Sequence, residues 1–425
     1  MSSVFVQVRG AEMQSNINAA DTAWVLISTA LVLLMTPGLG LFYAGMTRAK
    51  NVLNVLMQSF VALSVVTVLW AVVGYSLSFS KGNSFIGGFD YLLLKNVGQE
   101  AFTLNGASIT IPHLLFMAFQ LMFAIITPAL ISGAIVERMK FSAYVVFIAL
   151  WSLLVYTPVA HMVWGEGGLF VGKALDFAGG TVVHITSGFS ALALALLLGK
   201  RRLSHNDDTR PHNLPMTLIG TGLLWFGWFG FNAGSALTSG GLAANALVTT
   251  HIAAAVAGLV WILLEWLLVK KPTALGFASG VVAGLVAITP GAGFVTPAAA
   301  IVIGAVVPFI SYGMIRLKSK FKYDDTLDVF AVHGCGGLWG AVATVIFANK
   351  SVNSAGFNGI LHGDTSWLGQ QLLAVGIAAG AGLVGTAVIF ALLKLVFKSA
   401  NVTHDEEMSG LDVTQHGESG YVTDN

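Results

Sequence analysis

Charged side chains are scarce in this chain. Lys, Arg, Asp and Glu make up 10% of its 425 residues, against about 25% in an average soluble domain, which excludes a protein wetted on every side. Cysteine is nearly missing: Cys335 stands alone, so no intrachain disulfide is available and cysteine use says nothing about redox compartment. The net charge of +1 gives no reason to invoke nucleic acid. Spacings of the GxGxxG kind fall inside apolar runs rather than after a strand, which removes a phosphate-binding loop. No nucleophile sits beside a base, and two histidines without a third ligand make a poor zinc site. Neither an enzyme nor a cofactor is expected. Residues 1–21 lack the basic start and the apolar stretch of about 7–15 residues that a secretory signal needs, and read as an uncleaved external segment.

What is there in abundance is apolar length. The chain is 56% hydrophobic with a mean hydropathy of +0.79, and runs of about 17–25 residues, the length that spans a hydrocarbon core as a helix, recur along it. About eleven spans are expected, at 22–45, 54–79, 113–135, 141–160, 177–199, 215–235, 245–269, 273–290, 296–317, 328–348 and 368–396. The runs are continuously apolar without alternation, so the fold class is an all-α polytopic membrane protein rather than a β-barrel. Basic residues orient it. Arg9, Lys81, Lys95, Lys173 and Lys350 lie on one side, and the other 16 of the 21 Lys and Arg, from Arg48 to Lys398, fall in the alternate connections and at the C-terminus. By the positive-inside rule the N-terminus is outside and the C-terminus cytoplasmic, which requires an odd number of spans. The chain thus divides into a transmembrane domain, 1–398, and a polar, acidic cytoplasmic tail, 399–425, whose low hydrophobicity suits disorder.

Two aspartate–histidine pairs stand out within the spans. Asp176 precedes His184 in DFAGGTVVHI, and Asp328 precedes His333 in DVFAVHGCGG. Ionisable rings at membrane depth cost free energy and usually face a bundle interior or an aqueous path. They fall in the fifth and tenth spans, and FYAG (42–45) in the first aligns with FNAG (231–234) in the sixth. An offset of five turns the second copy over in the membrane. A 5+5 inverted repeat follows, about 22–199 and 215–348, with 368–396 as an eleventh helix, and such repeats place sites near the midplane. If each helix begins at its aspartate, His184 lies about 12 Å from one surface and His333 about 7.5 Å from the other, leaving a gap of roughly 10 Å in a core of about 30 Å. Contact between the rings therefore requires helices that start under recessed vestibules.

The spans hold almost no other ionisable groups. A bare cation at the centre would lack a counter-charge, at a cost of at least about 2.5–3.5 kcal/mol, which favours a neutral or transiently neutralised permeant. A cation can still be attracted at the mouth by aromatic faces, worth about 0.5–2 kcal/mol, a role that suits Trp164 and the aromatics of GWFGFNAGS. The 49 glycines mostly serve close helix packing.

AHMVWGEGG (160–168), DFAGGTVVHI (176–185), GWFGFNAGS (227–235), DVFAVHGCGG (328–337) and GLDVTQHGE (410–418) closely resemble the ammonium transporter family of bacteria, archaea and plants, over residues 20–425. The resemblance implies a homotrimer in the cell membrane with one pore per subunit, carrying ammonium, ammonia or methylammonium. It implies that Trp164 and Ser235 recruit ammonium at the outer side with Phe119 beside them, and that Asp176 supports that site without touching the ligand. Phe123 and Phe231 would form a stacked gate, and His184 and His333 the paired imidazoles of the pore. It also implies that a PII-type signal protein docks on the tail and the basic inner loops, with lipid around the bundle. Where the commonest family pattern reads WGGG, this chain reads WGEG, placing Glu166 near the mouth. His251, inside the seventh span, has no assigned part.

Plainer roles compete at each position. Trp164 suits a membrane-boundary belt, Asp176 suits a helix N-cap, Ser235 suits a helix end, Phe123 and Phe231 suit packing, and lone core histidines usually serve hydrogen bonding. His161 and His113 flank spans and are expected in water. Two whole-protein alternatives stand beside transport: an ammonium sensor signalling through its tail, opposed by a tail of about 27 residues, and an Rh-type gas channel, opposed by Trp164 and Ser235 occurring together. From the basic asymmetry, a reporter fused at Asn425 is expected in the cytoplasm and one at Met1 outside; both ends on one side would overturn the odd span count.

Overall fold

The computed structural model describes residues 16–202 and 209–421. The external segment expected at the N-terminus lies, up to residue 15, outside the described residues, as do the last four residues of the tail. Among the described residues eleven apolar helices follow in order: α1 (Ala19–Met46), α2 (Ala49–Phe79), α3 (His113–Ala134), α4 (Phe141–Trp164), α5 (Gly180–Leu198), α6 (Leu214–Ala233), α7 (Gly241–Val269), α8 (Ala274–Ile288), α9 (Pro297–Phe321), α10 (Phe330–Phe347) and α11 (Leu368–Phe397). Ten are long and apolar enough to cross a membrane, and α8, at 15 residues, is shorter. The protein is a polytopic helical membrane protein. Several starts are set locally: Asn18, Asn213, Thr273 and Thr296 each accept backbone N–H groups of the first turn, satisfying donors that a helix leaves open.

Leucines on the rim face outward, Leu267 at 71% and Leu395 at 82% exposure, as expected where the solvent is lipid. α3, α5, α8 and α10 form the interior. α5 and α10 meet backbone to backbone, since a Cβ on Gly188 would collide with the main chain of Gly334. Between α2 and α3 a small hairpin, β1 (Phe102–Leu104) and β2 (Ala107–Ile109), pairs Leu104 with Ala107 and turns at Asn105–Gly106, both with positive φ, as a two-residue Asn-Gly loop requires. The hairpin marks one face of the bundle and the tail marks the other.

His113 and His161 are not in water. His113 is buried, with its Nε2 2.6 Å from the Tyr75 hydroxyl and its ring stacked 4.1 Å from Phe102. His161 is fully buried, its Nδ1 and Nε2 at 3.0 and 2.8 Å from the carbonyl oxygens of Ser78 and Asn83. Flanking a span in sequence therefore did not mean facing solvent, because the chain after α2 folds back over the bundle.

The tail is likewise ordered through Tyr421 rather than disordered. The amide of Lys140 donates to Ala400 and that of Val402 to Arg138, at 2.9 Å each. Thr403 and Glu406 form a capping box at the start of a further helix, α12 (His404–Ser409). Asp412 then accepts from the amides of Leu53 at 3.1 Å and Asn54 at 2.8 Å, acting from a distance as the cap for the first regular turn of α2. Asn51, at the cap position itself, is occupied: its amide nitrogen donates to Glu137 at 2.9 Å and its carbonyl oxygen accepts from Leu411 at 2.8 Å. Glu137 is buried and also holds Arg48 at 2.6 Å. The order of a hydrophilic tail thus comes from polar groups that helix starts leave open. Replacing Asp412 with Ala should remove about 1–2 kcal/mol of capping, raising hydrogen exchange across 400–421 by about 5–30-fold; unchanged protection would mean that the remaining tail contacts suffice.

Candidate functional site

On the hairpin face a vestibule of about 410 Å³ opens between α3, α4 and the start of α5, with Phe123, Trp164, Asp176 and Ser235 in its wall. Trp164 is the last residue of α4, four residues beyond the end expected from hydropathy, and its indole N–H donates to the Asp176 carbonyl at 2.9 Å. The Asp176 carboxylate accepts four backbone amides, Gly179 and Gly180 on Oδ1 and Thr181 and Val182 on Oδ2, at 2.7 to 3.0 Å. Gly179 lies at φ +112°, a conformation open to glycine, and lets the chain curl back onto that carboxylate. With its acceptor sites so used, Asp176 serves the protein's own helix start rather than a ligand. The Ser235 hydroxyl donates to the Phe231 carbonyl at 2.8 Å, which leaves its lone pairs free to accept. Phe119 is fully buried behind the wall, edge-on to Phe123 at 5.0 Å and close to Gly234; Gln120, the next residue of AFQ, is the one that lines the vestibule.

Below the vestibule the rings of Phe123 and Phe231 lie 4.3 Å apart and separate it from a second, nearly closed cavity. That cavity offers about 10 Å³ to a water-sized molecule and is lined by Leu39, Ile126, His184, Trp228, Phe231 and His333, among other apolar residues, room for about one small molecule. His184 and His333 meet there, Nδ1 to Nδ1, at 3.2 Å. His184 lies nearly parallel to Trp228, 5.4 Å away, and Trp228 is fixed by its indole N–H on Thr289 at 2.9 Å. Nε2 of His184 is buried and meets no hydrogen-bond partner among the described residues. On the far side His333 opens to a vestibule of about 180 Å³ on the tail face, whose wall includes Tyr43, Ser279 and Asp328. The two histidines thus sit between two recessed vestibules, which closes the gap of roughly 10 Å expected from full-length helices.

Both histidines occupy a wide first turn of π type, at Gly180–Ile185 and Phe330–Cys335, a geometry often found at functional positions. The matching aspartate in the second half is not Asp328. Asp325 accepts the amides of Val329 at 3.1 Å and Phe330 at 2.7 Å, whereas Asp328 has φ +60° and pairs with Lys318 at 2.5 Å. Burial, with Asp328 nearby, pushes the Asp325 carboxyl up to about 6. The aromatics of GWFGFNAGS do not gather at the mouth: Trp228 is deep against His184, and Phe229 faces the outside of the bundle beside His251. Sequence reasoning also passed over Asn105, whose Asn-Gly turn between FTL and ASI is a hairpin signal and whose side chain reaches the Trp164 loop.

The sequence model of the Ammonium Transporter Family matches residues 23–421. The chain belongs to the ammonium transporter family. It is 51% identical over 402 residues to an ammonium transporter of Bacillus subtilis, covering 94% of this chain and 98% of that one, and 47% identical over 403 residues to ammonium transporter Amt1 of Archaeoglobus fulgidus, covering 95% and 99%. The crystal structure of Candida albicans Mep2 matches with a TM-score of 0.86 at 36% identity, over 96% of this chain and 91% of that one. A structure titled as a sensor Amt protein matches with a TM-score of 0.83 at 29% identity, over 93% and 98%. The function is ammonium transport across a membrane, and the protein is not an enzyme.

In this transporter the start of α5 hangs on one carboxylate. Asp176→Asn keeps the shape but puts an amide NH2 against backbone donors, which should lower unfolding stability in detergent by about 1–3 kcal/mol; a variant as stable as the native protein would show that other groups hold the turn.

Proposed function

We propose that ammonium is recruited at the vestibule of the hairpin face, loses its proton at the Phe123–Phe231 gate and passes as ammonia along the histidine pair to the tail side. The basic-residue asymmetry makes the hairpin face the outer one. The observation that carries this reading is the Nδ1–Nδ1 pair at 3.2 Å, enclosed by apolar side chains between two vestibules. A cation leaving water for that passage would lose its hydration without a counter-charge, whereas neutral ammonia needs a few polar edges and little room. Trp164 supports the recruiting step. Its ring stands edge-on to Phe123 at 6.1 Å, next to a hydroxyl and an amide, Ser235 and Gln120, that can accept from an ammonium ion.

The proton can follow by the pair itself. One Nδ1 donates to the other, so in one arrangement His184 carries its hydrogen on Nδ1 and leaves Nε2 as an acceptor. A proton arriving on His184 Nε2 lets the shared proton cross to His333 Nδ1, and His333 Nε2 releases its own toward the tail side. One N–H bond forms and one breaks at each ring, which leaves both rings in the opposite tautomer. Neutral imidazoles, each with one donor and one acceptor nitrogen, suit this relay. The functional unit is a homotrimer in this reading, and a PII-type signal protein docks on the tail and the inner loops, for which the ordered tail packed against those loops is the supporting feature. Among the relatives compared, the protein titled a sensor is 29% identical, and a transporter reaches 51%.

The test is ammonium-evoked current and internal pH, recorded together in liposomes under an ammonium gradient. His184→Ala and His333→Ala should each lose proton-coupled flux while half-saturation set by Trp164 stays within about twofold. Glu at either position should admit potassium, because a fixed carboxylate supplies the missing counter-charge. Native current and selectivity in all four variants would reduce the pair to packing.

A further inference from the structure

The recruiting loops are tied together by the hairpin. At its tip the Asn105 amide donates to Glu166 Oε2 at 2.5 Å, the Asn105 side-chain NH2 donates to the carbonyls of Trp164 at 3.3 Å and Gly165 at 3.2 Å, and Gly167 N–H donates to Asn105 Oδ1 at 2.9 Å. At its other end Thr110 is joined to the start of α1. Asn18 N–H donates to the Thr110 carbonyl at 2.8 Å, and the Thr110 hydroxyl donates to Asp21 Oδ2 at 2.7 Å. The second oxygen of Asp21 accepts the amide and hydroxyl of Ser239, at 2.8 and 3.1 Å, four residues beyond Ser235. Near its base Phe102 stacks on the buried His113. Hydrogen bonds at both ends of the hairpin therefore tie the Trp164 loop, through the hairpin and the start of α1, to the Ser235 loop, and Leu104 and Asn105 themselves line the vestibule.

Glu166 has two physical uses here that predict different things. A carboxylate at the mouth attracts cations at long range, an effect that salt screens over about 8–10 Å. A carboxylate oxygen accepting a backbone N–H at the hairpin tip holds geometry, and a neutral oxygen of the same shape would do as well. The short bond to Asn105, together with three further bonds from the same residue to the same loop, favours the second.

We propose that Glu166 and Asn105 are positioning residues: they latch the hairpin to the Trp164 loop and so set the spacing of Trp164 from Ser235 for ammonium, by shape rather than by charge. This rests on Trp164 being the recruiting residue. The test measures methylammonium uptake and hydrogen exchange at 101–111 and 164–168 for Glu166→Ala, Glu166→Gln, Asn105→Gly and Trp164→Leu. Glycine suits the positive φ of Asn105 and removes only its side-chain bonds. Glu166→Ala and Asn105→Gly should raise half-saturation about two- to fivefold, the loss of an exposed cation–π contact, with maximal rate within about twofold and faster exchange at both segments. Glu166→Gln should match the native protein in both readouts and in salt dependence. A Gln variant as weak as the Ala variant would make Glu166 an electrostatic attractor and overturn the latch. Faster exchange in the Ala and Gly variants with native half-saturation, while Trp164→Leu is impaired, would overturn the link to recruitment. Native uptake in Trp164→Leu would instead fail the recruitment reading, and the latch then stands or falls on whether exchange rises in Glu166→Ala.

Discussion

Both histidine-bearing helices begin below the surface of the bundle, and the backbone amides of their first turns must be satisfied there without bulk water. An unmet N–H at that depth costs about 1–3 kcal/mol, and a helix start has four of them. Asp176 meets four amides and Asp325 two. Once these starts are secured, the vestibules can reach inward, α5 and α10 can cross at Gly188 and Gly334, and the two imidazoles can meet at 3.2 Å.

The space between the vestibules is set apart by its chemistry more than by any single contact. Its walls are aliphatic and aromatic, with the imidazole edges as polar stations, and its space admits about one small molecule. In such surroundings a neutral ligand loses little on leaving water, whereas a permanent cation forfeits hydration that no carboxylate in the wall returns. An aromatic face stands in the wall of the open vestibule, at Trp164, and two phenyl rings close its floor, at Phe123 and Phe231. Asp176 lies nearby, yet its oxygens are committed to amides, so its contribution is shape.

Much of the fold was legible because lipid imposes a simple rule on sequence: each span must be apolar for its whole length and close its own hydrogen bonds. That rule located eleven segments, including the short α8, and picked out His184 and His333 as exceptions. It failed wherever polar groups pair off over long sequence distances. His113 and His161 read as wetted because they flank spans, but Tyr75 and two carbonyls enclose them. The tail read as disordered from its composition, yet Asp412 caps α2 across more than 350 residues. Asp328 was paired with Asp176 by spacing, whereas three residues upstream Asp325 has the geometry, because Asp328 turns away at positive φ toward Lys318.

The motifs around Trp164, Asp176, His184, Ser235 and His333 identify the family from sequence alone, since long ordered motifs within apolar spans leave few alternatives. Membership, helical architecture and the pairing of two ionisable rings were therefore determined by the amino-acid order. The depth of the vestibules, the meeting of the rings through Nδ1, the committed oxygens of Asp176 and the tie between Glu166 and Asn105 were decided by tertiary structure. The physical reason is that hydrophobicity is a property each segment carries with it, whereas hydrogen bonds depend on direction and distance between atoms that the sequence leaves 60 or 360 residues apart.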